Sequence, residues 1–75
     1  MSNADTVLQK FGQAVRAERE KQNLTQEVLA ERAEIKRSYV SDIERGHRNL
    51  GIKNVARIAK SLGISTSELC EGVDA

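Results

Sequence analysis

The sequence predicts an all-α fold, a compact five-helix arrangement around one small core. Apolar residues recur at intervals of three and four along most of the chain, and no segment alternates as a half-buried strand would. The sequence contains no proline, the residue that most strongly interrupts a helix. Its 75 residues are enough for one domain, and a domain of this size buries only a small core.

The first two helices are recognised by their apolar faces and by the polar residues at their ends. The apolar face of the first helix consists of Val7, Leu8, Phe11, Ala14 and Val15. That helix is predicted to run to about Gln22 and to end at Asn23. Thr25 caps the second helix, because its hydroxyl can accept a hydrogen bond from a free amide of the first turn. The inner face of the second helix is predicted to consist of Val28, Leu29, Ala30 and Ala33.

The third helix lies within AEIKRSYVSDIERG, residues 33–46, and has two different edges. Val40 and Ile43 stand three residues apart and are predicted to face inward. Gly46 ends the helix, because glycine tolerates the left-handed conformation of many helix ends. The opposite edge carries the hydrogen-bonding side chains Arg37, Ser38, Ser41 and Asp42.

The last two helices follow a short loop. The inner face of the fourth helix is predicted to consist of Ile52, Val55, Ala56, Ala59 and Leu62. Gly63 ends that helix. Ser65 and Glu68 form a capping box, in which each side chain satisfies the other residue's backbone amide. It begins a short fifth helix that contains Leu69 and Cys70.

The second and third helices are joined by a very short turn, Glu34 to Lys36. Two helices joined so tightly cross at a steep angle and form a helix-turn-helix unit. The small side chain of Ala30 allows the two helices to approach closely. An exposed helix fits the major groove of DNA, where base edges offer donors and acceptors. The polar edge of the third helix is therefore suited to reading bases.

Charge is distributed unevenly along the chain. The net charge is only +1, yet residues 36–60 hold seven basic and two acidic side chains. Residues 61–75 hold three acidic side chains and no basic one. A local basic field attracts a polyanion even when the whole chain is nearly neutral. A solvated charged surface would give the same composition, so charge alone leaves both interpretations open.

Several classes of protein are disfavoured. With one cysteine the chain forms no internal disulfide, no apolar run is long enough to span a membrane, and the first residues lack a secretory pattern. We therefore expect a cytoplasmic protein. His47 has no neighbouring cluster of metal ligands, and Ser38 and Ser41 have no histidine base nearby in sequence. We expect no metal, no cofactor and no enzymatic activity.

The domain boundaries are predicted from the limits of the helical pattern. Residues 6–71 form the domain. Residues 1–5, which include the run MSNA, are interpreted as a disordered or tag-derived N-terminus, and residues 72–75 as a short C-terminal tail.

The run LTQEVLAERAEIKRSYVSDIERGHRN, followed by IAKSLGIS, resembles the XRE-type helix-turn-helix domain of phage repressors and many small bacterial regulators. The resemblance covers roughly residues 8–70. It implies a sequence-specific, double-stranded DNA-binding transcriptional regulator of bacterial or phage origin, acting as a homodimer on a palindromic operator. YVSDIERGHRN is also similar to restriction–modification controller proteins. An antitoxin-like module that binds a toxin through the acidic tail, Glu68 to Asp74, is the alternative.

The resemblance also implies roles for individual residues. The base-facing positions are those of Arg37, Ser38, Ser41 and Asp42. The positions that contact DNA backbone or an edge base are those of Gln26, Lys36, Tyr39, Arg45, Arg48 and Asn49. Arg19 and Glu44 match a buried ion pair that ties the first helix to the end of the third.

At two positions the resemblance does not decide the role of the residue or the local backbone. Asp42 repels phosphate, so it either accepts a hydrogen bond from a cytosine amino group or holds Arg37 or Arg45 in position. Glu34 stands where the family usually has glycine. A left-handed backbone there costs a non-glycine residue about 1–2 kcal/mol, so we expect the turn to differ slightly.

The C-terminal third is predicted to join two chains into a homodimer. One recognition helix covers only a few base pairs, and a two-fold dimer doubles the contacts. The joining surface must leave Gln26 and residues 36–48 free. The short fifth helix and its approach carry more apolar surface than so brief a segment is expected to bury in its own monomer. The candidate interface residues are Ile64, Leu69, Cys70 and Val73.

Overall fold

A computed structural model describes residues 3–73, with side chains described from residue 6 onward. The described residues form five helices: α1 (Asn3–Lys21), α2 (Gln26–Ala33), α3 (Arg37–Glu44), α4 (Ile52–Ser61) and α5 (Thr66–Cys70). The all-α prediction is confirmed. Helix α1 begins at Asn3, earlier than its apolar residues indicate. Residues 1, 2, 74 and 75, which belong to the predicted terminal segments, lie outside the described residues.

The helices enclose one hydrophobic core to which all of them contribute. Helix α1 packs on α3 and α5, α2 packs on α3 and α4, and α4 packs on α5. The described chain measures 31 × 23 × 22 Å. The buried apolar residues are Phe11, Val15, Leu29, Ala30, Ala33, Val40, Ile43, Ile58, Ala59, Leu62 and Leu69.

The predicted helix ends are confirmed. Asn23 adopts a left-handed conformation with φ 58° two residues beyond α1, and Gly46 does the same with φ 74° after α3. The Thr25 hydroxyl accepts a hydrogen bond of 3.1 Å from the Val28 amide. Ser65 and Glu68 form the reciprocal capping box. These signals are local in sequence, so the ends of α2 and α3 can be located without knowledge of the tertiary contacts.

Three residues predicted to face the core do not do so. Val28 is 38% exposed, since the buried stripe of α2 runs through Leu29, Ala30 and Ala33 and leaves Val28 to one side. Ile52 is 73% exposed, because it is the first residue of α4 and lies beyond the reach of the core. Ala56 is also exposed. Ile58, which the sequence pattern did not assign to the core, is 1% exposed instead.

The turn between α2 and α3 keeps a left-handed residue despite the absence of glycine. Glu34 has φ 58° and ψ 42°, and its amide donates to the carbonyl of Glu31 at 3.2 Å. The Ile35 amide donates to the Ala30 carbonyl at 2.9 Å. These bonds satisfy two of the carbonyls in the last turn of α2. The turn therefore does not differ in the way expected, and the chain carries the backbone strain at Glu34 instead.

Gly12, in the middle of α1, lies against the end of α3. A Cβ atom at Gly12 would stand 2.3 Å from the Ile43 carbonyl oxygen and 2.8 Å from that of Glu44. An ordinary glycine-to-alanine change inside a helix stabilises by about 0.5–1 kcal/mol. Here we expect Gly12→Ala to destabilise by about 2–3 kcal/mol, because helix backbone rather than a flexible side chain must move. Urea denaturation followed by circular dichroism measures the change.

Gly51 is the matched control for that substitution. Nothing lies within 4 Å of a Cβ placed there. Gly51 also has an ordinary φ of −75° and caps α4 without a side-chain hydrogen bond. Gly51→Ser should leave stability unchanged or raise it slightly, since serine is a good N-cap residue. A Gly12→Ala variant as stable as the unmodified protein would show that α1 and α3 are not in this close contact.

Candidate nucleic-acid interface

Helix α3 presents one buried edge and one accessible edge. Val40 and Ile43 are 1% and 2% exposed and lie in the core. Arg37 and Ser38 are exposed, and Ser41 is half-buried. The predicted division of this helix is therefore confirmed. The side chains of the accessible edge can form hydrogen bonds, and they take no part in packing the core.

A salt bridge fixes the end of α3 to α1, as the resemblance to the XRE-type family implies. Arg19 Nε donates to Glu44 Oε2 at 2.7 Å, and Arg19 Nη2 donates to Glu44 Oε1 at 3.0 Å. The side chains are 12% and 4% exposed. The hydrogen bond to Glu44 raises the pKa of Arg19 above its ordinary value, against the lowering effect of burial. The pair is bidentate and nearly buried, a geometry that fixes the relative position of the two helices.

Two further hydrogen bonds join the Arg19–Glu44 salt bridge, and we call the whole group the anchor. Arg19 Nη1 donates to the Leu24 carbonyl at 2.8 Å, so the guanidinium also holds the loop before α2. Gln26 Nε2 donates to Glu44 Oε1 at 3.1 Å. Gln26, predicted to contact DNA, is thus half-buried and bound to the anchor. The start of α2 and the end of α3 are thereby held by one carboxylate.

Asp42 is paired with two arginines on the accessible side of α3. Its Oδ1 accepts from Arg45 Nη2 at 2.7 Å, and its Oδ2 lies 3.7 Å from Arg48 Nη2. Arg45 is the partner that one of the sequence interpretations named. Arg37, the other arginine named there, is not an ion-pair partner of Asp42 in the described structure. The contact with Arg48 was not foreseen.

Tyr39 links α3 to the loop and to α4. The Arg48 guanidinium lies over its ring, 4.4 Å from the ring centroid. Asn54 Nδ2 donates to the Tyr39 hydroxyl at 3.1 Å, which leaves the hydroxyl proton free for another acceptor. Sequence reasoning missed Asn54, and its only signal was a polar side chain near the start of α4. Tyr39 therefore positions Arg48 and is itself positioned by Asn54.

The remaining predicted contact residues surround this edge. Lys36 is the N-cap residue of α3 and makes no capping hydrogen bond through its side chain. Lys36, Asn49 and His47 are all exposed. A shallow recess of about 400 Å³ opens at the first turns of α2 and α3. It is lined by Arg19, Thr25, Gln26, Glu27 and Arg37.

The predicted dimer residues do not all reach the surface. Leu69 is 2% exposed and belongs to the monomer's own core, so it does not offer the free apolar surface that the sequence predicts for it. Ile64, Cys70 and Val73 are half-buried and pack against that core. The fifth helix buries Leu69 because α1 and α4 both pack against it. Sequence reasoning underestimated how much apolar surface these two helices cover.

An apolar groove of about 210 Å³ lies beside Cys70 and Val73. It is lined by Val7, Leu8, Phe11, Asn49, Leu50, Val55, Cys70 and Val73. Ile52 stands between Leu50 and Val55 in sequence and is 73% exposed. The largest exposed apolar side chain of the described structure therefore stands within three positions in sequence of two lining residues of this groove.

Within residues 3–73, no helix is long and apolar enough to cross a membrane. Among the same residues, no group of three or more histidine, cysteine or acidic side chains could hold a metal ion.

The chain is similar to known proteins along most of its length. Control protein C.BamHI of Bacillus amyloliquefaciens is 45% identical over 62 residues, which are 81% of this chain and 76% of that protein. The restriction-modification controller protein C.AhdI from Aeromonas hydrophila has a TM-score of 0.81 and 44% identity, covering 83% of this chain and 94% of that one. C.Esp1396I bound to a 25 base pair operator site has a TM-score of 0.81 and 36% identity, covering 89% and 88%.

A match to a family model supports the same conclusion as the similarity to these individual proteins. The helix-turn-helix family model matches residues 15–69, which include α2, the left-handed turn and α3. The chain belongs to the helix-turn-helix family, within the XRE-type group that includes the restriction–modification controller proteins.

Proposed function

We propose that the protein is a sequence-specific transcriptional regulator that binds double-stranded DNA as a homodimer and acts as a restriction–modification controller. The observation that carries this proposal is the accessible edge of α3, which a nearly buried salt bridge holds in a fixed orientation. Fixed hydrogen-bonding side chains on an exposed helix suit the major groove. The protein would act where its operator lies, in the cytoplasm of a bacterium.

Size supports two copies on one operator. The 25 base pairs bound by the relative C.Esp1396I measure about 85 Å at about 3.4 Å per base pair. The longest dimension of this chain is 31 Å. One copy therefore covers less than half of an operator of that length. Two copies related by a two-fold axis require a palindromic sequence, with half-sites roughly 10 base pairs apart.

The residues divide into two kinds of contact. We assign base reading to Arg37, Ser38 and Ser41, which lie along the accessible edge of α3. We assign phosphate or edge contacts to the surrounding polar residues Gln26, Lys36, Tyr39, Arg45, Arg48 and Asn49. Phosphate contacts position the protein and base contacts give specificity.

The first test of this assignment is Arg37→Ala. Arg37 is exposed at the first position of α3, where side chains reach deepest into the groove. A bidentate contact to guanine O6 and N7 would account for its role. We expect a loss of about 1–3 kcal/mol on the preferred site and relaxed preference at one base pair, measured by titration of a set of singly substituted duplexes.

Arg48→Ala is the matched comparison. Arg48 lies in the loop after α3 and rests on the Tyr39 ring rather than on a helix that aims it at a base. Its removal should weaken every duplex of that singly substituted set alike and lower the salt slope by roughly one unit. Uniform weakening by Arg37→Ala would make Arg37 a phosphate contact and contradict its assignment.

Selection of bound sites from random duplexes tests the function as a whole. A defined palindrome bound by two chains is the expected result, and it would establish both the class of protein and its stoichiometry. Recovery of random sequences would contradict sequence-specific binding.

The joining surface is assigned to the groove between α1, α4 and α5. Ile52, which is 73% exposed and follows the lining residue Leu50 by two positions, replaces Leu69 in the interface, while Ile64, Cys70 and Val73 remain candidates. This surface leaves Gln26 and residues 36–48 free for DNA. An isologous patch of this kind closes after two chains.

A further inference from the structure

Asp42 places a carboxylate among the cations of the proposed DNA-binding surface. Its side chain is 33% exposed, beside Arg45, which is 60% exposed, and Arg48, which is 46% exposed. A carboxylate in this position repels phosphate. It also neutralises part of the charge of the two arginines that would otherwise attract any duplex. The negative charge therefore weakens the attraction of this surface for any duplex, unrelated DNA included.

The ion pairs between Asp42 and the two arginines are weak enough for another anion to replace the carboxylate. The Arg45 bond is a short hydrogen bond of 2.7 Å but joins residues three apart on the surface, and the Arg48 contact is a looser 3.7 Å. Exposed pairs of this kind contribute little net free energy, so phosphates in good position can replace the carboxylate as partner. By contrast, the nearly buried pair of Arg19 and Glu44 has no such freedom.

Arg48 is held in place even when its carboxylate partner is lost. Its guanidinium stacks on the Tyr39 ring, and the Tyr39 hydroxyl accepts a hydrogen bond from Asn54. Release from Asp42 therefore leaves Arg48 close to its position instead of freeing it into solvent. Arg45 is the C-cap residue of α3, so its backbone is fixed at the helix end while its side chain has Asp42 as its ion-pair partner.

We propose that Asp42 is a specificity-determining residue that masks Arg45 and Arg48 from random DNA, and that the two arginines exchange it for phosphates only when the base contacts of α3 hold the protein in register. The inference rests on the proposed function. It differs from a base-reading role for Asp42, in which the carboxylate would accept a hydrogen bond from cytosine. Specificity arises here from a repulsive element that penalises the wrong partner.

The test compares Asp42→Asn with Glu31→Gln. Both substitutions remove one negative charge, but Glu31 is exposed on α2 and has no ion-pair partner in the described structure. Affinity is measured by fluorescence anisotropy over a range of salt concentrations, on a selected operator and on an unrelated duplex of equal length. Thermal unfolding establishes that both variants are folded.

Asp42→Asn is expected to tighten binding to the unrelated duplex roughly threefold to tenfold and to steepen its salt slope by about one to two units. The operator should change less, so the ratio of the two affinities falls. Glu31→Gln should leave that ratio unchanged. The effect of Asp42→Asn on the unrelated duplex should disappear in an Arg45→Ala, Arg48→Ala background, because no masked cations remain.

Other results overturn the inference. Equal tightening on both duplexes would mean simple local repulsion. Weaker operator binding with an unchanged unrelated duplex would make Asp42 a base reader. An Asp42→Asn effect that persists without the two arginines would exclude masking. If the wild-type protein prefers no site, the proposed function fails, while binding of the variants to the unrelated duplex still decides whether Asp42 masks the arginines.

Discussion

Glu44→Ala should destabilise the protein by about 3–5 kcal/mol. The substitution leaves the Arg19 guanidinium, whose side chain is 12% exposed, without the carboxylate that accepts two of its hydrogen bonds. It also removes the acceptor of Gln26. Domains have about 0.05–0.15 kcal/mol of stability per residue, so a loss of this size is a large part of the total for so short a chain. Urea denaturation followed by circular dichroism measures it.

The matched control is Glu20→Ala. Glu20 pairs with Arg16 at 3.2 Å on the surface of α1, where the two side chains are 55% and 63% exposed. Removing it should cost at most about 1 kcal/mol. Similar losses for Glu20→Ala and Glu44→Ala would show that burial of the Arg19–Glu44 pair does not increase the free energy lost when its carboxylate is removed.

A double substitution separates the charge from the packing. Arg19→Met combined with Glu44→Leu removes both charges and leaves apolar side chains of similar length. Such replacements recover much of the stability lost when one partner alone is removed. Recovery should be incomplete here, because the Leu24 carbonyl loses its donor and Gln26 loses its acceptor. Complete recovery would mean that these two hydrogen bonds are unimportant.

Local signals explain why so much of the fold could be predicted. The ends of α2 depend on Thr25 and on the short turn, and the two edges of α3 depend on the spacing of Val40 and Ile43. All of these are separated by a few residues in sequence. The pair of Arg19 and Glu44, by contrast, spans 25 residues and was expected only from resemblance to a family.

Contacts that depend on the path of a loop could not be predicted. Arg48 reaches Asp42 and Tyr39 because the chain turns back after Gly46, and Asn54 reaches Tyr39 from the next helix. Periodicity states which face of a helix is apolar, but it does not locate a loop side chain relative to that helix. The close approach of Gly12 to α3 was not predicted either, because it depends on how two helices distant in sequence pack together.

The joining surface shows a different difficulty. Leu69 and Ile52 are both apolar and both lie in a short or terminal part of a helix. The sequence predicts Leu69 at the joining surface and Ile52 on the inner face of α4, the reverse of their exposure in the structure. Leu69 is covered because α5 packs between α1 and α4, whereas Ile52 lies at the end of α4 with no neighbour over it. Burial in a small domain depends on where helices end relative to the core. The interface therefore has to be argued from the structure.

Ile52→Asp should convert the protein from dimer to monomer without unfolding it. The side chain is 73% exposed in the monomer, so the monomer's core loses little when it changes. In the proposed dimer, an aspartate at this position would lie beside its two-fold copy, where two carboxylates repel each other and are removed from water. Sedimentation velocity at micromolar concentration measures the expected change of state.

Loss of the dimer should weaken operator binding by at least about a hundredfold. Two joined chains bind the second half-site as an effectively intramolecular event, and the joined pair exceeds either single affinity by about 10²–10⁴. A duplex with a single half-site should bind the variant and the unmodified protein equally, because only one α3 contacts it. That duplex separates a failure of association from damage to the DNA-binding surface.

Two further substitutions make the dimer test decisive. Val28→Asp removes another exposed apolar side chain, 38% exposed on α2 and away from the groove, and should leave the protein dimeric. Leu69→Glu places a carboxylate in the core, where Leu69 is 2% exposed, and should unfold the chain rather than release a folded monomer. A folded, dimeric Ile52→Asp variant that still binds the palindrome as the unmodified protein does would place the joining surface elsewhere. A folded, monomeric Leu69→Glu variant would return the fifth helix to the joining surface, because it would show that this side chain is needed for association and not for the monomer's core.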